Sequence, residues 1–234
     1  MDFDEWNPTY ERLLADLGYD RAGDERVRDR LAALTEPFDL GPLRERVAGA
    51  TVAVAGGADC LADELSLARG ADVVFAASVA ADTCRDHGIP VDCMVTDLDK
   101  NPGTARRLTH EGIPVATHAH GDNLDLVVSV VPDCAGEWVL PTTQAAPAGP
   151  VRNFGGFTDG DRAAFLADHL GAAALRFPGW DLEDPTVDAE KHTKLAWAER
   201  LLRWLERRRD ERFAPLEGRR DALDDDPLTP PYGD

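Results

Sequence analysis

Between about residue 50 and residue 180 the chain alternates between two patterns. Short apolar runs, many with β-branched residues, read TVAVAGG, ADVVFAAS, VDCMVTDLD and IPVATHAHGD, then EWVLPTTQ and AALRFPGW. Each run ends in small or polar residues. Between them lie ADELSLARG, AADTCRDHG, NPGTARRLTHEG, DNLDLVVSVVPD and DRAAFLADHLG, which suit helices. Strands alternating with helical stretches predict βαβ units: an α/β fold with a mostly parallel, Rossmann-like sheet and helices on both faces.

The ends of the chain read differently. Residues 1–48 form a helical N-terminal segment in this reading, with NPTYERLLADLG opening at Asn7 as N-cap, Pro8 at the first helical position, and Gly18 as the stop. GDERVRDRLAALTE and GPLRERVAG supply two more helices. The α/β domain is expected over 49–210. Its last helix, AEKHTKLAWAERLLRWLERRRD, carries an apolar stripe at Leu195, Trp197, Leu201, Leu202, Trp204 and Leu205. Residues 211–234, charged and Pro-rich from about Phe213, read as a disordered acidic tail.

Charge narrows the function. A net charge of -19 on 234 residues disfavours nonspecific binding to nucleic acid or to an anionic membrane. Three of the 25 basic residues are lysine, Lys100, Lys191 and Lys194, the rest arginine, and acids run throughout. That balance suits a high-salt cytosol, where screening removes most self-repulsion. No stretch approaches a membrane span, the N-terminus lacks the pattern of a signal peptide, and the four cysteines show no CxxC spacing. A cytoplasmic protein is expected, without membrane or nucleic-acid partners, and a homodimer is the commonest state for such a domain.

The polar residues that carry chemistry cluster where strands end, the edge at which open α/β sheets bind ligands. In VTDLDK, Asp97 and Asp99 lie one residue apart and would share a face if the backbone is still extended there. Two such carboxylates repel, and a divalent cation such as Mg²⁺ removes the conflict. Gly56 and Gly57 end the first strand, where bare backbone N–H groups could meet a phosphate or merely turn the chain. Lys191 and Lys194, three apart, share a helical face suited to a polyphosphate or simply to solvent. HAHGDN, with His118, His120, Asp122 and Asn123, resembles the HxHxDH zinc motif of metallo-β-lactamase-like hydrolases, with Asn123 where a histidine is needed. The glycine-rich NFGGFTDGD, spanning Asn153, Phe154, Gly155, Gly156, Phe157, Thr158 and Asp159, suits closure over a flat substrate or a turn capped by Asp159 or Asp161.

VTDLDK, HAHGDN, PTTQ, NFGGFTDGDRA and KHTKLAWAERLL, taken in order with Trp6 and Tyr10, resemble the archaeal 6-hydroxymethyl-7,8-dihydropterin pyrophosphokinases, relatives of thiamine pyrophosphokinases. The resemblance spans nearly residues 1–205. It implies a catalytic domain like that of thiamine pyrophosphokinase, and Mg²⁺-dependent transfer of the β,γ-diphosphate of ATP to the pterin hydroxymethyl group in tetrahydromethanopterin- or folate-type cofactor synthesis. It further implies metal binding by Asp97, Asp99 and Asp122, with Asp122 an alternative base. Lys191, Lys194 and Lys100 would neutralise phosphate. Gly56, Gly57, Thr142, Thr143 and Gln144 would position nucleotide or pterin, Asn123 the nucleotide, and residues 153–159 the pterin. Ser78 and Val79 stand where an acid and a glycine are common in the family, and Lys100 where a glycine is usual. Three rival readings use the same residues. DLDKNPGT resembles the strand-end motif of haloacid-dehalogenase-type phosphatases, thiamine is an alternative acceptor, and the scaffold could bind nucleotide without catalysis.

Overall fold

Every apolar run becomes a strand: β1 (Thr51–Ala55), β2 (Val73–Ala77), β3 (Cys93–Thr96), β4 (Val115–Ala119), β5 (Val139–Thr143) and β6 (Ala174–Arg176). The structure, a computed structural model, describes residues 1–223. All pairings are parallel, in the order β5-β4-β3-β2-β1-β6. Such a sheet must be covered on both faces, which is why its strands read as nearly unbroken apolar runs. Alternate residues sort the cover: Val52, Val54, Phe75 and Val95 face one core, Ala53, Ala55, Val74 and Met94 the other.

The crossovers are α4 (Leu61–Arg69), α5 (Ala80–Asp86), α6 (Pro102–His110), α7 (Leu124–Val130) and α8 (Asp159–His169). Residues of α4 to α7 and of the N-terminal α2 (Arg21–Ala32) join the second core. The first core takes α8, the C-terminal α9 (Ala189–Arg208), α1 (Phe3–Leu17) and α3 (Gly41–Val47). It holds the aromatic mass. The Trp6 ring lies 6.4 Å from both Phe165 and Trp204, so the N-terminal segment shares the core of the α/β domain.

Two expectations about the chain ends change. Helix α1 starts at Phe3, capped by Asp2, whose carboxylate accepts the Glu5 N–H at 2.9 Å; Asn7 is not its cap, and Pro8 lies inside it. Proline there removes one helical hydrogen bond, but Trp6, Tyr10 and Leu13 bury the same face and hold the turn. Gly18 closes the helix at φ 67°, as expected. At the other end, Phe213 and Leu216 are buried, with Phe213 4.6 Å from the Phe177 ring. The Glu206 carboxylate accepts the Phe213 N–H at 2.7 Å and also pairs with Arg220 at 2.6 Å. Residues up to 223 are therefore packed; the remainder of the expected tail lies outside the described residues.

Strand β1 sits between β2 and β6, so successive strands diverge there and open a crevice beyond their carboxyl ends. The crevice is tight. Gly56 N–H donates to Pro178 O at 2.9 Å and Ala58 N–H to Gly179 O at 3.1 Å. A Cβ on Gly56 would stand 2.4 Å from Gly179 O, which explains the glycine. Among the described residues no helix is long and apolar enough to cross a membrane.

Candidate active site

At the end of β3 the acid pair forms by a turn, not by continued extension. Thr96 Oγ1 accepts the Leu98 N–H at 2.9 Å, and Asp97 Oδ1 accepts the Asp99 N–H at 3.2 Å. Leu98 between them has φ 71° and a wholly buried side chain. A left-handed leucine costs roughly 1–2 kcal/mol, offset by burying the side chain, about 1.5–3 kcal/mol. Core packing thus sets the acid pair.

The electrostatics follow from that closeness. Burial, with Asp97 alongside, raises the Asp99 pKa to about 6 despite Lys100 and Lys191. Burial also pushes the Asp97 carboxyl up, but His120, the Arg162 guanidinium and the hydrogen bond shared with Asp99 outweigh it and hold Asp97 well below the usual carboxylate range. His120 Nε2 lies 3.5 Å from Asp97 Oδ2. Asp159, the first residue of α8, is raised to about 8 by burial and by Asp97, against the pull of Arg162.

These groups line one cleft with two lobes. The polar lobe, about 280 Å³, takes Asp97, Asp99, Lys100, His120, Asp122, Gln144, Phe157, Thr158, Asp159, Arg162, Lys191 and Lys194, with Tyr19 from the N-terminal segment. The second lobe, about 240 Å³, occupies the crevice beside β1 and is more apolar, with Gly56, Gly57, Trp180, Leu182 and Leu195. The lobes share Lys100, Thr158, Asp159 and Lys191. Lys191 and Lys194 lie near the start of α9, whose cap Asp188 accepts the Lys191 N–H at 2.8 Å; Lys194 pairs with Glu190 at 2.6 Å.

Several predicted residues do not line either lobe. Asn123 is buried, its amide donating to Asp97 O at 2.8 Å and His118 O at 2.7 Å, and so ties the β3 and β4 loops together. Thr142 and Thr143 hydroxyls donate to Thr117 O and Ala119 O, each at 3.2 Å. The Asn153 amide donates to Gln144 O and Ala145 O. Phe154 is buried against His169, 4.8 Å away. Gly155 and Gly156 take φ 88° and 90°, and a Cβ on Gly156 would stand 2.6 Å from Arg162 Cα, so the loop seats against α8. Neither Asp159 nor Asp161 is the N-cap of α8: Thr158 is, and Asp161, at the third helical position, closes a capping box by accepting from the Thr158 N–H and hydroxyl. Val79 has φ -61° and asks for no glycine.

Sequence reasoning missed Arg162, Tyr19 and Trp180. Trp180 follows β6, and its Nε1–H donates to Val54 O at 2.8 Å; the strand order was the signal that could have found it. Arg162 sits in the quoted FTDGDR, overshadowed there by its acids.

The donor set favours Mg²⁺ over zinc. His118 is buried with Nδ1 3.1 Å from Thr142 Oγ1, and among the described residues no three His, Cys, Asp or Glu side chains gather to hold an ion. Asp122 shares the lobe with Asp97 and Asp99 without completing a cage. Two adjacent carboxylates fit Mg²⁺, an oxygen-ligand ion that seldom uses an all-protein cage.

No family model matches the chain. Curated proteins do. It is 34% identical over 91% of its length to a 6-hydroxymethyl-7,8-dihydropterin pyrophosphokinase of Methanothermobacter thermautotrophicus, of which it covers 99%. A protein of the same name from Pyrococcus furiosus is 35% identical over 88% of this chain and 94% of its own. The Methanocaldococcus jannaschii protein of that name is 27% identical over 88% and 96%. With that extent of similarity, and the quoted motifs gathered about one cleft, the chain belongs to the 6-hydroxymethyl-7,8-dihydropterin pyrophosphokinase family.

Proposed function

We propose that the protein transfers the β,γ-diphosphate of ATP to the hydroxymethyl oxygen of 6-hydroxymethyl-7,8-dihydropterin, with Mg²⁺, for tetrahydromethanopterin- or folate-type cofactor synthesis in the cytoplasm. The observation that carries it is the junction of the two lobes, where Lys100, Asp159 and Lys191 meet beside the acid pair. The nucleoside occupies the apolar lobe, at the strand divergence between Gly56 and Trp180. The pterin lies in the polar lobe against Tyr19 and Phe157, whose rings are 6.5 Å apart. Between them the β- and γ-phosphoryl groups span the junction.

The acceptor oxygen attacks the β-phosphorus, the bond from that phosphorus to the α,β-bridging oxygen breaks, and AMP leaves with that oxygen. The hydroxyl proton passes to a carboxylate, for which Asp122 is the exposed candidate in the polar lobe. Asp97 and Asp99 would hold Mg²⁺, which when bound would supply charge neutralisation for the phosphates. Lys100, Lys191 and Lys194 orient and neutralise the chain, and alignment matters more than proton transfer in such reactions.

One mixture tests this. ATP and Mg²⁺ are incubated with the dihydropterin alcohol or, separately, with thiamine, and AMP and diphosphate ester are measured by phosphorus NMR. AMP and ester in equal amounts with the pterin are expected. Absence of AMP, or ester from thiamine alone, would overturn the reading.

A further inference from the structure

Asp24 is 2% exposed, yet it belongs to the N-terminal helical segment and has no part in the diphosphate transfer proposed for the cleft. Buried carboxylates persist where donors satisfy them. Asp24 has three. Tyr10 Oη–H and Gln144 Nε2–H both donate to Oδ2 at 2.8 Å, and Gly121 N–H donates to Oδ1 at 2.6 Å.

Each long-range donor leads to the cleft. Gly121 lies between His120 and Asp122, so that bond fixes the loop which brings one residue against Asp97 and the other into the polar lobe. Gln144 leads to Arg162. A carboxylate only accepts, so the Gln144 amide must turn its NH₂ toward Asp24 and present Oε1 on its other side. There Arg162 Nη2–H donates to it at 3.2 Å, while Nη1 lies 3.2 Å from Asp159 Oδ1. Two of the five guanidinium donors are thereby engaged. Arg162 is 7% exposed, lines the polar lobe and acts electrostatically on Asp97.

We infer that Arg162 is a catalytic contact to the transferred diphosphate, and that Asp24 is a positioning residue which, by orienting Gln144, aims Arg162 while also holding the His120–Asp122 loop. The inference rests on the diphosphotransfer reading. It gives the helical segment a part in the reaction: Tyr10 and Asp24 set the direction of one amide, and that amide sets the direction of one cation. If Arg162 served only to balance the acids of the cleft, the orientation of Gln144 would be immaterial to turnover.

Reversing the donor and acceptor of one bond tests it. Asp24→Asn sets an NH₂ against either the Gln144 amide or the Gly121 N–H, and Gln144→Glu sets a carboxylate against Asp24. The double variant restores one donor and one acceptor and still offers Arg162 a carboxylate oxygen. Each single variant is expected to lower kcat about 10–100-fold, the usual effect of losing a residue that orients a ligating group, with little change in the KM for ATP. The double variant is expected to recover most of the loss. Single variants with wild-type kcat, or a folded double variant no better than the worse single, would overturn the role of Asp24. Arg162→Lys keeps the charge and removes the fork, giving a second arm should Asp24→Asn fail to fold. About a 100-fold loss in kcat is expected, and full turnover would overturn the catalytic role. Inactive wild-type protein would refute the diphosphotransfer reading instead, so the two failures are distinct.

Discussion

The two lobes of the cleft are built by different means. In the polar lobe, side chains set the geometry: Asp24 orients Gln144, Gln144 orients Arg162, and the buried Asn123 amide ties the β3 and β4 loops through their carbonyls. In the apolar lobe, backbone lies against backbone, with Gly56 N–H on Pro178 O and Ala58 N–H on Gly179 O, and the Trp180 indole is anchored on a third backbone carbonyl, Val54 O. The first arrangement fixes charges and suits chemistry. The second fixes shape and suits binding. Substitutions should therefore divide, with losses of turnover on one side and of nucleotide affinity on the other.

The largest effect that would sharpen this contrast is Asp97→Asn. It should lower kcat by ~10³ or more, about 4 kcal/mol of barrier, with the melting temperature nearly unchanged; a variant with most of its turnover would break the assignment. Trp180→Ala comes next. Loss of a stacked ring costs roughly 1–3 kcal/mol, so the KM for ATP should rise about tenfold or more while kcat stays within about threefold of wild type. A fall in kcat alone would place Trp180 with the chemistry and dissolve the division. Gly56→Ala forces a Cβ to within 2.4 Å of Gly179 O and 3.0 Å of the Trp180 ring. Overpacking of this kind costs about 1–3 kcal/mol, read as a lowered melting temperature together with weaker ATP binding.

The smallest expected effect lies behind the apolar lobe. Its wall includes Leu195 and Ala198 of α9, whose far end is pinned by Glu206 with Arg203, Arg220 and the Phe213 N–H. Burial raises the Glu206 pKa, but the bonds from Arg220, Phe213 and Arg203 outweigh it and lower it below the model-peptide value of 4.5. A depressed folded-state pKa contributes stability that is present above that value and lost as pH falls through the lower folded one. Melting curves from pH 7 to 3 should show this loss, and Glu206→Gln should be destabilised at pH 7 but lack that part of the acid slope. An unchanged slope would remove Glu206 from the account.

What was legible in the sequence followed from local pattern. The parallel strands announced themselves as apolar runs because both faces are buried, and Gly18 closed α1 where its left-handed conformation was expected. Asp97, Asp99, Asp122, Lys191 and Lys194 do converge on one cleft. What was not legible came from contacts between residues far apart in the chain. Pro8 is tolerated inside α1 because Trp6 meets Phe165 and Trp204. Thr142, Thr143 and Asn153 end up holding backbone carbonyls, the two threonines those of strand β4, since neighbouring backbone uses their polar groups before any ligand could. Gln144 and Asp24, 120 residues apart, meet only after folding, so no spacing rule could have joined them. Even the two acids, read as neighbours, are set by a different backbone path from the one expected.

That path has a consequence for how the protein can tolerate change. The residue separating the two aspartates is a hydrophobic cork in the interior, not a swivel of the sort glycine would provide. Neither backbone position can drift without drawing that cork, so the spacing of the two carboxylates is settled when the chain folds. Trimming Leu98 to a smaller side chain would remove no polar atom of the cleft, and would still loosen the spacing of the two carboxylates from below.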